Sequence, residues 1–476
     1  MRPRTVLFVS QSATVIGGVQ SRLDVLTERL PEAGWRVLVG LARGNRFHRP
    51  EAFRRLHPDL ETLSLDGRSG TRAARELAIE SVLRRVRPDV VVPLSMFDAF
   101  AAVRRAKERR SDLRFLFTLN EVCPQFLVDC QKNLSIIDRL LGVSRLAARL
   151  LVDIGADPSR VDHVSDGVPI PLAREASVPT PHEERNGSFR IGYVGRFSND
   201  KRILDLVTVC RELDARGVDF KMIIVGEGPI GQDLEKAMAP WRDRDRVSLI
   251  GAMRRSDLYR TIYPRLDALL LPSALLSEGL PNAPMEAMIH GVVPVVSDFL
   301  GLREQGLLRH LETAMIFSPG DVAQAAGNLL ALAENMGLRR ELSSRGRREI
   351  LSCYSIESMT AGWAACLSKA LEQASRCDQG PPSRRQIEGR LERLLGRRAA
   401  EGVRRATGRR YLHPDASEWP HCGVWAPGEV EDMRRRLETY SGKDRHDLIN
   451  SSSPDSIEGG ETVHQCETPG FRSTRR

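Results

Sequence analysis

Two glutamates eight residues apart, Glu278 and Glu286, bracket the string Gly279-Leu280-Pro281-Asn282-Ala283-Pro284-Met285. Carboxylates accept hydrogen bonds from sugar or ribose hydroxyls, and a glycine-containing turn between them leaves backbone N–H groups within reach of a ligand. Glu286 falls in the first turn of a helix expected from about Pro284 to His290, where the helix dipole favours a carboxylate even without a ligand. A second constellation is Gly195-Arg196-Phe197-Ser198-Asn199-Asp200-Lys201. Two cations flanking a glycine turn suit a diphosphate, Arg as a bidentate donor and Lys as a mobile point charge, although solvated surface cations read the same way. A third is Gly17-Gly18, where the backbone can approach an anionic group at a helix amino terminus or simply make a tight turn.

The elements that must position these residues form one pattern, used twice. Short apolar runs at Val6–Val9, Val37–Leu41, Val90–Leu94, Phe115–Thr118 and Leu140–Val143 read as buried strands separated by helix-period segments. The first such segment carries Val19, Leu23, Leu26 and Leu30 on one face. The stretch 173–188, rich in Pro, Glu, Ser, Asn and Gly, reads as a linker. The pattern then restarts with strands at Phe189–Val194, Met222–Val225, Val247–Ile250, Ala268–Leu271, Val293–Val296 and Met315–Phe317. Two α/β units with doubly wound parallel sheets and a cleft between them are expected. All three constellations follow predicted strands, at the edge where open α/β sheets bind ligands.

Composition is that of an ordinary soluble protein: 476 residues, 41% hydrophobic and 28% charged. No apolar run approaches the ~20 residues of a membrane span, so a cytoplasmic place is expected. The eight cysteines form no C-x-x-C pair, and the spacing of His421, Cys422, His464 and Cys466 does not suit zinc, so neither a disulfide framework nor a metal site is indicated. The net charge of +9 concentrates in Arg384–Arg410, with smaller clusters at Arg84–Arg87 and Arg104–Arg110. Without interleaved aromatics these do not suggest nucleic acid; an anionic membrane surface, or plain solvated helix faces, accounts for them. Residues 386–405 read as a basic amphipathic helix with Ile387, Leu391, Leu394 and Leu395 on its apolar side, and the polar stretch from Lys443 reads as disordered.

The string E-G-L-P-N-A-P-M-E-A-M followed by G-V-V-P-V-V-S-D resembles the signature of the retaining glycosyltransferases of family 4. G-R-F-S-N-D-K, V-G-E-G-P at 225–229, V-S-L-I-G at 247–251, V-S-R-L at 143–146 and D-G-V-P at 166–169 follow in the family's order. The resemblance covers roughly residues 5–370 and is specific in the second half. It implies a GT-B fold, with residues 1–172 as an acceptor domain, 189–350 as a nucleotide-sugar-binding domain, 351–372 as a helix crossing back, and 373–476 as a basic helix and disordered tail. It further implies that Glu286 holds the ribose, that Glu278 and Gly279, Leu280, Pro281 and Asn282 hold the transferred sugar, and that Arg196 and Lys201 neutralise the leaving diphosphate. The Gly17-Gly18 loop borders the donor, and the loop Gly251–Met253 borders its base. The family's chemistry needs no metal or cofactor and retains configuration. Asn120 stands where the family often carries a His, Lys201-Arg202 replaces a usual Lys-Gly, and Asp166 replaces a usual Asn.

The expected activity is therefore transfer of a hexose from a UDP- or GDP-sugar to a glycan or lipid-linked acceptor, with Glu278 and Asn120 at the reacting centre. Alternatives are a nucleotide-sugar-binding protein without transfer, to which the non-titrating Asn120 is suited, and a nucleotide-sugar epimerase of the same architecture. A glycoside hydrolase using Glu278 and Glu286 as its carboxylate pair leaves Arg196 and Lys201 without a role. Deleting 376–476 is expected to spare donor binding and weaken adsorption to anionic vesicles.

Overall fold

The structure, a computed structural model, describes residues 3–10, 18–42, 50–65, 69, 71–94, 98–170, 187–377, 390–408 and 428–451. Gly17, nearly all of the expected linker, Ile387 and the tail beyond Ser451 lie outside these residues.

Seven strands form the first sheet: β1 (Arg4–Ser10), β2 (Trp35–Leu41), β3 (Thr62–Ser64), β4 (Val90–Leu94), β5 (Arg114–Leu119), β6 (Arg139–Gly142) and β7 (Val161–His163). The second contains β8 (Phe189–Val194), β9 (Phe220–Val225), β10 (Val247–Ile250), β11 (Ala268–Leu271), β12 (Val293–Ser297) and β13 (Met315–Phe317). Strand orders are β3-β2-β1-β4-β5-β6-β7 and β10-β9-β8-β11-β12-β13. Every strand pair is parallel, with β1 in register against both β2 (Val6 beside Val37) and β4 (Val6 beside Val90). Helices cover both faces, so the central strands are buried along almost their whole length, and this is why they read as unbroken apolar runs. The three-residue edge strands β3 and β7 have no such run and are not apparent in the sequence.

Strand order reverses between β1 and β4 in one sheet and between β8 and β11 in the other, and each reversal opens a crevice at the carboxyl ends. The two crevices face one another. The chain passes between the lobes twice, and Val168, where it leaves the first lobe, is bonded to the second passage. Val168 donates its N–H to the Tyr354 carbonyl at 2.9 Å and forms a β-bridge with Ser355. Gly167 is required there, since a Cβ would lie 2.3 Å from the Ser355 carbonyl oxygen. Capped by Ser355, the helix Ile356–Glu372 then returns to the first lobe, burying Met359, Trp363, Cys366 and Leu367 against Val6 and Phe8.

Two expectations about the end of the chain are corrected. The basic helix runs from Arg390 to Ala406 and is broken at Gly396, which adopts φ 71°. Its buried side chains are Glu392, Ala400 and Glu401, while Leu394 and Leu395 are exposed. The helix is held to the first lobe by polar clamps instead: Arg397 bonds Glu76 and Glu80, and Glu401 accepts from Ser69 and Thr71. Residues 443–451, expected to be disordered, continue the helix Glu429–Ser451, whose Met433 and Leu437 enter the core of the first lobe. The two apolar residues are spaced i, i+4, enough to anchor an otherwise polar helix.

Candidate active site

The facing crevices form one cavity of about 600 Å³. From the second lobe it is lined by Gly195, Arg196 and Lys201 after β8, and by Glu278–Asn282 and Glu286 after β11. From the first lobe come Gly18, Asn120 and Glu121. Asn120, Gly18, Arg196, Lys201, Glu278, Gly279, Leu280, Pro281, Asn282 and Glu286 all line this cavity; Gly17 lies outside the described residues, and of the loop Gly251–Met253 only Met253 reaches it.

The helix carrying Glu286 begins at Asn282, two residues before the expected start. Pro284 occupies its third position, where a missing N–H costs no intrahelical bond. Glu286 is thus the fifth helical residue rather than part of the first turn, and the helix dipole does not explain its placement. It is buried and accepts a hydrogen bond from Tyr263 Oη at 2.7 Å. Burial raises its pKa above the ordinary carboxyl value, outweighing Arg255 and the Tyr263 bond. Tyr263 stacks on His290 with ring centroids 5.3 Å apart, which fixes the Tyr hydroxyl under the carboxyl.

Glu278 sits at the end of the loop after β11 and accepts hydrogen bonds from Ser273 Oγ at 2.5 Å and Lys201 Nζ at 2.7 Å. Lys201 also bonds the Ser277 carbonyl at 3.0 Å. Arg196 bonds Asp200 at 2.9 Å and Ser198 at 3.2 Å. Burial works against ionisation of Asp200, yet the charges of Arg196 and Lys201 hold its pKa below the usual value. The two cations and the two acids, Asp200 and Glu278, satisfy one another's charge here.

The lobes touch at this point. Glu121 and Gly279 form an isolated antiparallel β-bridge, and a Cβ on Gly279 would lie 2.3 Å from the Asn120 carbonyl oxygen. Glu121 is half-buried; desolvation, together with the neighbouring charges of Asp200 and Glu278, raises its pKa despite the opposing charges of Arg196 and Lys201.

On the first-lobe wall sequence reasoning found Gly18, Asn120 and Asp166 but missed the residues that hold them, Arg22, Gln20, Asp24 and His57. Arg22 is buried and grips Asp166 with two hydrogen bonds, Nε at 2.5 Å and Nη2 at 2.7 Å, while Nη1 reaches Asn120 Oδ1 at 2.5 Å. Gln20 bonds Asp24 at 2.8 Å, and Asp24 bonds His57 Nε2 at 2.9 Å. A signal existed: Gln20, Asp24 and Glu28 follow the Gly-Gly loop at intervals of four, a polar stripe on a helix whose other face is apolar. Arg255 and Tyr259, which line the second-lobe wall, gave no comparable signal.

Two parallel-sheet lobes facing across a ligand-sized cavity define the GT-B architecture. The fold is shared with Anabaena Alr3699/HepE, whose structure was solved with UDP and glucose (TM-score 0.60, 18% identity, 77% of this chain and 100% of that one). It is also shared with sucrose-phosphate synthase of Thermosynechococcus elongatus (TM-score 0.63, 17% identity, 78% and 99%). The family profile "Glycosyltransferase Family 4" matches residues 16–170, and "Glycosyl transferases group 1" matches residues 188–335. The chain belongs to this family of glycosyltransferases. Among curated relatives it is 27% identical to 2-deoxystreptamine glucosyltransferase of Streptomyces kanamyceticus, over 40% of this chain and 50% of that protein. It is 28% identical to the amylovoran biosynthesis glycosyltransferase AmsK of Erwinia amylovora, over 41% and 47%. The chain thus spans about half the length of these relatives.

Proposed function

We propose that the protein is a retaining glycosyltransferase that moves a hexose from a UDP- or GDP-sugar to a glycan or lipid-linked acceptor. The observation that carries this reading is the convergence of Glu278, Glu286, Arg196 and Lys201 on one cavity that the first lobe closes with Asn120. In this reading residues 189–350 bind the donor and residues 1–172 the acceptor. Glu286 holds the ribose hydroxyls, Arg196 and Lys201 take the diphosphate, and Glu278 with Gly279–Asn282 holds the sugar. Lys201 is bonded to Glu278. An arriving diphosphate draws Lys201 away and frees Glu278 to accept from a sugar hydroxyl. As the glycosidic bond breaks, charge grows on the diphosphate, and both cations are placed to stabilise it.

The uridine nucleotide in the HepE structure and the polysaccharide role named for AmsK support a UDP-sugar and a bacterial-type glycan. Among the described residues no helix is long and apolar enough to cross a membrane. We place the protein on the cytoplasmic side, in contact with an anionic membrane surface where a lipid-linked acceptor would lie.

Calorimetric titration with UDP, GDP, ADP and dTDP tests the donor site. One nucleotide is expected to bind saturably, with Glu286→Ala weakening it on the order of tenfold or more, the loss of a charged-group hydrogen bond. Binding of no nucleotide by folded protein would sink the reading. Donor binding without transfer to any acceptor or to water would favour a binding protein, and donor epimerisation without acceptor would favour an epimerase.

A further inference from the structure

The basic run and the Arg84–Arg87 cluster contribute nothing to the cleft, yet the fold brings them together. The helix Arg390–Ala406 lies on the helix Arg72–Val86, clamped by Arg397 to Glu76 and Glu80 and by Glu401 to Ser69 and Thr71. Between the two helices is a second cavity of about 330 Å³, lined by Arg84, Arg398 and Arg405 together with Glu80 and Glu401. Both acids are already engaged, Glu80 by Arg105 and Arg397, and Glu401 by Ser69, Thr71 and Arg404. Among the described residues no hydrogen bond or ion pair engages the side chain of Arg84, Arg398 or Arg405. Three guanidinium groups therefore meet at one cavity with no carboxylate to spare for them.

Just before the break at Gly396, Leu394 is 80% exposed and Leu395 50%, and beyond it Val403 is 40%. Large aliphatic side chains in water beside uncompensated arginines are the composition of an element that lies in a membrane interface, charge at the headgroups and leucine below.

We propose that this cavity docks an anionic phospholipid headgroup, with Leu394, Leu395 and Val403 entering the lipid beside it. Guanidinium groups bind phosphodiesters in bidentate fashion, and three of them give the site the complementary charge. A free phosphate would use the arginines but leave the leucines without a partner. The inference rests on the membrane contact proposed above and locates it, holding the acceptor lobe against the bilayer.

The test is cosedimentation of the full chain with vesicles of phosphatidylcholine alone and of equimolar phosphatidylcholine and phosphatidylglycerol. Wild type is expected to adsorb only to the mixed vesicles. The triple variant Arg84→Gln/Arg398→Gln/Arg405→Gln should adsorb on the order of 100-fold more weakly, at roughly fivefold in affinity for each of the three basic groups lost. Leu394→Ser/Leu395→Ser should also weaken adsorption, with its melting temperature unchanged. Adsorption of the triple variant equal to wild type would overturn this site while leaving membrane contact standing. No adsorption of wild type to either vesicle would overturn both, without touching the transferase reading, which nucleotide titration decides. Saturable binding of inorganic phosphate that the triple variant loses, with no vesicle adsorption, would make the cavity a free-anion site and overturn the lipid.

Discussion

Arg22 and Asp166 meet with both side chains only 3% exposed, and such a pair is costly to break from one side. Asp166→Asn should destabilise the protein by about 3–5 kcal/mol in urea denaturation, because it leaves a buried guanidinium without its counter-charge. Arg22→Met/Asp166→Leu should recover much of that loss. A single-variant cost below about 1 kcal/mol would mean that water reaches the pair after all. The same arginine donates to the Asn120 amide oxygen and so fixes the orientation of that side chain in the cleft. Glu286 gives a second test. Its folded-state pKa is raised by burial, so its neutral form stabilises the fold at low pH, and that contribution fades as pH rises past the ordinary value of 4.5. The stability of wild type relative to Glu286→Gln should therefore fall as pH rises above 4.5 in parallel denaturant titrations, and a flat difference would contradict the shift. From sequence, Glu278, Glu286, Arg196 and Lys201 were legible because each follows an apolar strand within a short local string. The Arg22–Asp166–Asn120 cluster was not, since its members are separated by 98 and 144 positions and only the fold brings them together.

At the scale of elements, the contact between the loop after β5 and the loop after β11 makes the sharpest prediction. Gly279→Ala places a methyl 2.3 Å from the Asn120 carbonyl oxygen, and both neighbours are backbone that cannot rotate away. The loops must part. Transfer should slow on the order of 100-fold, as a displacement near 1 Å does at a reacting centre, while the melting temperature changes little. Small-angle scattering should show a larger radius of gyration; an unchanged radius with unchanged rate would mean that the loops do not meet in solution. The long central strands were legible because burial on both faces leaves an uninterrupted apolar signal. The helix Arg390–Ala406 was misread for the opposite reason. Its period placed leucines inward, but the bonds it makes are ionic, and acids on a distant helix chose which face turns in.

For the whole molecule, the C-terminal helices belong to the first lobe rather than trailing from it. Deleting residues 376–476 strips Met433 and Leu437 from the core of that lobe, at about 3–5 kcal/mol for two aliphatic side chains. The truncated chain should show a separate low-temperature transition in calorimetry, with nucleotide binding by the second lobe retained. A single unshifted transition would show that the helices contribute nothing. The two passages of the chain between the lobes, joined through Val168, Tyr354 and Ser355, bear on motion as well as on stability. Had they stood far apart, they would have acted like the two pins of a door and confined the lobes to one axis. Since Val168, where the chain leaves the first lobe, is bonded to Tyr354 and Ser355, where it returns, the lobes share a single pivot at that point. A substrate that draws the lobes together thus works at the long end of a lever, and a small rearrangement at the fulcrum is magnified where the sugar lies.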